Sequence, residues 1–154
     1  IISLLNEYLS SLGTGIEIDK EAIKVSEKNK EFLLNKDRLI FLERDFSSFD
    51  TSSFDIVISN PPYIPFEEKN NIMEDVRNFE PTKALFADEK GLYFYRNMIK
   101  NLANKMKRKQ YLFLEVGINQ HDGVVKILKN NNFKVISIKN DISNIPRCII
   151  AESN

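Results

Sequence analysis

Four residues, Asn60-Pro61-Pro62-Tyr63, hold the most chemically pointed spacing in the chain. An asparagine brings a carboxamide oxygen that accepts hydrogen bonds. Each proline lacks an N–H and drives the residue before it into an extended conformation, so the pair cannot continue a strand's ladder. The carbonyls of this corner are left without a regular partner. Asn60 and the Pro61 carbonyl offer two acceptors beside the ring of Tyr63, a set that suits a planar NH2 group.

The residues ahead of the corner say where it sits. Residues 54–59, Phe-Asp-Ile-Val-Ile-Ser, are a short run apolar on both faces, which predicts a buried, central parallel strand of an α/β domain. Open α/β sheets bind ligands beyond the carboxyl ends of their strands, which is where the corner falls. Upstream, apolar residues at 1, 2, 4, 5, 8, 9 and 12 predict a helix over residues 1–12, with Gly13 as its C-cap and a strand over 14–18. Gly13-Thr14-Gly15 is read as a connection, because a phosphate-cradling glycine loop follows a strand and opens a helix. Glu17 closes that strand, and Asp19 is placed to cap a helix carrying Ala22, Val25, Asn29, Phe32 and Leu33. A carboxylate ending such a strand accepts hydrogen bonds from ribose hydroxyls; the plainer reading is a solvated acid near a helix start.

Residues 38–43 read as a third strand, followed by Arg44-Asp45-Phe46 and a polar loop over 47–53. A short helix is expected over 67–76. Leu92, Tyr95, Ile99, Leu102 and Met106 give a longer helix its apolar stripe, and the cations of 105–109 suit its C-terminus. Residues 110–116 form a strand, Asn119 or Asp122 caps a helix running to about residue 130, and residues 133–139 and 146–152 make an antiparallel pair.

Composition narrows the function. Lysine plus arginine, 22, balances aspartate plus glutamate, 22, so there is no general pull toward nucleic acid or anionic membrane. One histidine, His121, read as polar surface, makes a metal cluster or a histidine triad improbable. One cysteine, Cys148, excludes an internal disulfide and reads as core packing. No apolar run approaches membrane-spanning length, and the opening residues, which do not begin with methionine, do not read as a signal peptide. A length of 154 residues supports a single domain, taken as 1–154.

Asn-Pro-Pro-Tyr after a strand resembles the motif of S-adenosylmethionine-dependent methyltransferases that act on amide or exocyclic amine nitrogen. Further short words narrow the match: Asn-Pro-Pro-Tyr-Ile-Pro, then Phe79-Glu80-Pro81, Ala84-Leu85-Phe86, Gly91-Leu92-Tyr93-Phe94-Tyr95-Arg96 and Glu115-Val116-Gly117 with Gln120. Together they resemble the HemK/PrmC family, which methylates the glutamine amide of peptide-chain release factors. The family usually has glycine after Ala-Leu-Phe, where this chain has Ala87.

The resemblance implies a Rossmann-like class I methyltransferase domain, mostly parallel with an antiparallel last strand, S-adenosylmethionine as cofactor and no metal. It implies that Asn60, Pro61, Pro62 and Tyr63 form the catalytic corner. Glu17 matches the ribose-binding position, Asp45 and Phe46 match the adenine-binding pair, and Asn60 also faces the cofactor. Glu80 matches a lid or substrate channel, Glu115 and Gln120 brace the site, and Asp141 with Arg147 form a closing ion pair. The implied partner is a release factor, in a cytoplasmic or organellar setting. The family's first strand, its Asp-x-Gly-x-Gly-x-Gly turn and the helical domain before it are not among these residues, so the chain alone is expected to bind cofactor weakly or not at all and to be inactive. Two other functions remain open: methylation of an exocyclic amine in DNA or RNA, and a non-catalytic methyltransferase-like scaffold.

Overall fold

The computed structural model describes residues 1–34, 36–105 and 109–153, arranged as two compact units, Ile1–Phe49 and Asp50–Asn154. The first contains α1 (Ile2–Glu7), β1 (Gly13–Glu17), α2 (Lys20–Leu33) and β2 (Leu39–Glu43). β1 and β2 run parallel, Gly13 opposite Leu39 and Glu17 opposite Glu43. Helix α1 is shorter than the apolar spacing predicts: Tyr8 leaves helical geometry at φ −107°, and Leu9 and Leu12 are exposed. Gly13 therefore opens a strand instead of capping a helix, and Gly13-Thr14-Gly15 is strand instead of connection. A Cβ on Gly13 would lie 2.9 Å from Ile1 Cδ1 and from Leu5 Cδ1, so the glycine lets α1 pack closely on β1.

Leu5, Leu34 and Leu39 form this unit's core, with Ile2 and Phe41 against it. The Arg38 guanidinium donates to the Leu5 carbonyl (2.7 Å) and ties α1 to the start of β2. Asp19 caps α2 as expected, its Oδ1 accepting from the amides of Glu21 (2.8 Å) and Ala22 (3.1 Å). The face of α2 turned inward is not the predicted one. Ala22, Val25, Phe32 and Leu33 are exposed, while Ile23, Ser26 and Lys30 are half-buried on the way to buried Leu34. Lys30 lies over the Phe41 ring, 5.9 Å from its centroid, so an aliphatic stem covers what an apolar side chain was expected to cover.

The second unit runs β3 (Ile56–Ser59), β4 (Ile64–Pro65), α3 (Glu74–Phe79), α4 (Thr82–Leu85), β5 (Phe86–Ala87), α5 (Asp88–Gly91), α6 (Tyr93–Lys105), β6 (Tyr111–Glu115), α7 (His121–Asn130), β7 (Phe133–Asn140) and β8 (Pro146–Ser153). Its main sheet has the order β3-β6-β8-β7. β3 and β6 are parallel, and β8 is antiparallel to both β6 and β7, which gives the mixed sheet with a reversed end that the sequence predicts. β3 is the edge of this sheet, not its centre, among the described residues. Val57 is buried on one face while Ile56 and Ile58 are about half exposed on the other.

Helix α6 buries Tyr95, Met98, Ile99 and Leu102; α7 buries Val124, Ile127 and Leu128 and packs against α6, β7 and β8; Leu112, Leu114, Ile149 and Ala151 are buried in the sheet. Met106, Lys107 and Arg108 lie outside the described residues. The helix expected over 67–76 is replaced by a single 3-10 turn at Phe66–Glu68 and by α3, because Met73 is extended (ψ 141°) between them. Neither Asn119 nor Asp122 caps α7: Asn119 takes a left-handed turn (φ 61°), and Gln120 occupies the N-cap. Among the described residues no helix is long and apolar enough to cross a membrane, and no three His, Cys, Asp or Glu side chains cluster to hold a metal.

Candidate active site

The corner begins where β3 stops. Ser59 is the last residue paired with β6, opposite Leu114. Asn60 is exposed, and its carboxamide makes no hydrogen bond among the described residues. Pro61 is buried, yet its carbonyl accepts no hydrogen bond from them. Both peptide bonds are trans.

Tyr63 contrasts with these two. Its phenol donates to Glu115 Oε1 (3.1 Å) at the end of β6, and its carbonyl accepts from Gln120 Nε2 (2.7 Å). Burial, reinforced by the charge of Glu115, pushes the Tyr63 phenol above its ordinary range, so the ring stays neutral. Glu115 is held from behind: fully buried Tyr95 donates to its carbonyl (2.7 Å), and burial raises the Tyr95 phenol still further. Arg147 Nη1 donates to the Val116 carbonyl (3.2 Å) while its Nε faces Asp141 Oδ2 (3.5 Å), so the expected Asp141–Arg147 pair forms and buttresses the end of β6.

The start of β3 is anchored by Gln110, which is fully buried. Its Nε2 donates to the carbonyls of Thr51 (2.6 Å) and Phe54, and its backbone exchanges hydrogen bonds with Ser153. Ala87 stands where the family usually has glycine, and the turn does not suffer. It is extended (φ −141°) and buried in β5, paired with Pro65, so an ordinary side chain fits. The position that demands glycine is Gly91, left-handed at φ 82°, where a Cβ would overlap the Tyr63 carbonyl oxygen and Gln120 Nε2. Tyr95, Gln110 and Gly91 were legible only as core, strand start and a word of a motif. A tyrosine inside an apolar stripe was the available signal for Tyr95, since a buried phenol needs a partner.

Glu80, exposed at the C-cap of α3, donates its backbone N–H to the Val76 carbonyl (3.1 Å), while its side chain makes no hydrogen bond among the described residues. His121 is half-buried, with Nε2 3.5 Å from Asp122 Oδ1 and Nδ1 without a partner, so it is less of a surface residue than expected. Cys148 is half-buried opposite Glu115, and burial raises its thiol, an inert packing role.

In the first unit, Glu17 and Asp45 come to the same end of two adjacent parallel strands. Glu17 Oε1 accepts from the amides of Ile18 (2.7 Å) and Asp19 (2.9 Å), which fixes the carboxylate beyond the strand end and leaves its second oxygen for another donor. Asp45 is exposed, and its Oδ1 accepts from the Ser47 amide (2.7 Å). Hydrogen bonding to Ser47 holds its carboxyl below the usual carboxylate range. Phe46 is half-buried beside it. An ionised acceptor next to an aromatic ring, and a fixed carboxylate one strand away, fit an adenosine with its amine and ribose hydroxyls.

No family model matches the chain. Among solved structures, the chain superposes on magnesium protoporphyrin IX methyltransferase from Synechocystis PCC 6803, with bound SAH, at a TM-score of 0.52 and 17% identity, covering 93% of this chain and 64% of that one. With the α/β elements and the reversed last strand, this defines the fold as that of a class I S-adenosylmethionine-dependent methyltransferase. Among relatives, the chain is 40% identical over 154 residues to the release factor glutamine methyltransferase of Fusobacterium nucleatum, covering 98% of this chain and 43% of that protein. It is 34% identical over 141 residues to the enzyme of the same name from Thermodesulfovibrio yellowstonii, covering 91% and 50%. The chain is similar over nearly its whole length to these release factor glutamine methyltransferases, in line with the HemK/PrmC resemblance of its motifs, and spans about half the length, or less, of these curated relatives.

Proposed function

We propose that the protein to which this chain belongs methylates the side-chain amide nitrogen of a glutamine in a peptide-chain release factor, with S-adenosylmethionine as donor. The observation that carries this reading is the division of labour at the corner: Asn60 and the Pro61 carbonyl are unengaged, while Tyr63, two residues on, is held at both its phenol and its carbonyl. The chain's similarity to enzymes named for that reaction supports the substrate class.

An amide nitrogen is a poor nucleophile because its lone pair is delocalised into the carbonyl. In the proposed complex the two N–H bonds of the substrate amide donate to Asn60 Oδ1 and the Pro61 carbonyl, which orients the nitrogen lone pair toward the methyl donor, and the Tyr63 ring lies against the flat group. When bound, S-adenosylmethionine would supply an electrophilic methyl on a sulfonium, whose S–CH3 bond breaks to leave a neutral thioether. As the nitrogen takes that methyl and becomes cationic, the same two oxygens stabilise the charge, and one proton then leaves to water. Glu17 would hold the ribose hydroxyls, Asp45 the adenine amine and Phe46 the adenine face. The rigid Pro61-Pro62 pair keeps the acceptors from swinging away.

The test is methyl transfer from labelled S-adenosylmethionine by the intact protein onto a release factor and onto the same factor with its target glutamine replaced. Label incorporated only in the first supports the reading. Label in neither, or in DNA or RNA with steep salt dependence, overturns it.

A further inference from the structure

Gln120 stands at the N-cap of α7 and is 9% exposed, yet its side chain makes no capping hydrogen bond to its own helix. It reaches three other stretches of backbone. Nε2 donates to the carbonyls of Tyr63 (2.7 Å) and Lys90 (3.1 Å), and Oε1 accepts from the Gly117 amide (3.1 Å). Both donors and the acceptor of one carboxamide are thus used on backbone: Tyr63 and Gly117 lie outside the helices and strands, and Lys90 lies in α5, a single turn whose Glu89 and Lys90 are non-helical.

The surroundings are shaped for this contact. Gly91 cannot carry a Cβ without overlapping the Tyr63 carbonyl and Gln120 Nε2. A Cβ on Gly117 would lie 2.6 Å from Gln120 Oε1 and 2.9 Å from the Tyr63 ring. The Lys90 carbonyl is presented by three consecutive left-handed residues, Glu89 (φ 55°), Lys90 (φ 56°) and Gly91 (φ 82°). Two of the three are not glycine, a costly geometry that persists only where its surroundings hold it.

We infer that Gln120 is a positioning residue for the proposed methyl transfer, fixing the direction of the Asn60 and Pro61 acceptors by clamping the far end of the corner. This rests on the reading given under Proposed function. The near end of the corner is fixed by the β3–β6 ladder, whose last pair is Ser59 with Leu114. The far end is fixed at the Tyr63 carbonyl. Between them lie Asn60 and two prolines whose φ angles are locked by their rings, so few soft torsions remain and a constraint at Tyr63 is felt at Pro61. Were the intervening residues flexible, a clamp there would decide nothing about Asn60.

The inference is tested with the intact protein and two variants. Gln120→Met keeps the shape and removes every hydrogen bond; Gln120→Glu, when ionised, keeps the acceptor for Gly117 and loses both donors. In each, kcat on a release factor should fall on the order of 10- to 100-fold, with KM for S-adenosylmethionine within about twofold, as expected for misplacement by about an ångström. Amide exchange at Tyr63, Ile64, Gly91 and Leu92 should speed up together by at least about tenfold, while Ile149 and Ala151 in the sheet core stay protected. An unchanged kcat in either folded variant overturns the inference, as does exchange that rises equally in the core. In the parent protein the Gln120 carboxamide protons should themselves exchange slowly; free exchange overturns the inference with no variant needed. If the parent transfers no methyl group to any release factor, the functional reading fails, and the clamp is judged on the exchange measurements alone.

Discussion

Replacing Gly91 by alanine tests the clamp's geometry without reference to any activity. Three contributions set the magnitude. An L-residue at φ 82° pays the left-handed penalty, about 1–2 kcal/mol. The new methyl overlaps the Tyr63 carbonyl oxygen and Gln120 Nε2, and lies 2.9 Å from the Tyr63 carbonyl carbon, so backbone has to move. That movement stretches the 2.7 Å Gln120–Tyr63 hydrogen bond past its useful range and forfeits about 1 kcal/mol or more. Against these, alanine restricts the unfolded chain and returns about 0.4–1 kcal/mol. The net loss is about 1–3 kcal/mol, a large part of a small domain's stability. Urea unfolding followed by far-UV circular dichroism measures it, the chain having no tryptophan. Gly123→Ala is the matched control. A methyl there meets only the flexible end of Leu92, at 2.9 Å from its Cδ1, and Gly123 lies inside α7, so that variant should gain up to about 1 kcal/mol. If both variants unfold within about 0.5 kcal/mol of each other, the reasoning about Gly91 is wrong.

Asn60→Ala should lower turnover on a release factor at least about 100-fold with S-adenosylmethionine affinity nearly unchanged, read from steady-state kinetics and calorimetric titration; a fully active variant ends the acceptor assignment. The Tyr63 phenol is raised, so its contribution to stability is present below the ordinary value of 10.0 and is lost as pH rises through the folded value. Tyr63→Phe should remove that alkaline component from the pH dependence of the urea midpoint. Glu152 bridges Lys109 (2.7 Å) and Lys134 (3.3 Å), and these hold its carboxyl low. Its contribution is present above the ordinary carboxylate value of 4.5 and is lost as pH falls through the depressed one, so Glu152→Gln or high salt should flatten the acid side of the stability profile. Asp19→Ala should cost about 1 kcal/mol through the cap of α2, measured by thermal unfolding.

The sequence carried some features of the fold plainly and others not at all, and the difference follows the range of the interactions. Asp19 capping α2 and the β7–β8 pair are settled by neighbours in the chain, and both were legible. The stripe of α6 is set by a single apolar face, and it was legible as well. The inward face of α2 was misjudged because Lys30 and Phe41, eleven positions apart in the chain, meet across the unit. Gly13 looked like a helix end because glycine serves both close packing and left-handed caps, and only the position of Leu5 separates the two. The corner was legible as a pair of acceptors because prolines announce their lack of N–H. Its far anchor was not, because Gln120 reaches Tyr63 across 57 positions and Lys90 across 30, and no local pattern encodes a side chain that serves three backbones at once.

The size of the proposed effect explains why so many polar groups surround the corner and so few occupy it. Two neutral hydrogen bonds from a substrate amide to Asn60 and the Pro61 carbonyl are worth only about 1 kcal/mol each net of water. Correct alignment of a reacting pair is worth about 7–11 kcal/mol. The larger quantity depends on the acceptors not moving, and several interactions act on that: Gln110 at the start of β3, the ladder to β6, Glu115 on the Tyr63 phenol, Gln120 on its carbonyl and Tyr95 behind Glu115. None of them takes up the two oxygens that a substrate nitrogen would need. A corner that merely ended a strand would gain from satisfying its own carboxamide and carbonyl, and its stability would rise if it did. That Asn60 and Pro61 stay open inside so heavily braced a turn is therefore the feature that packing alone does not explain, and it directs the first substitution experiments to those two positions.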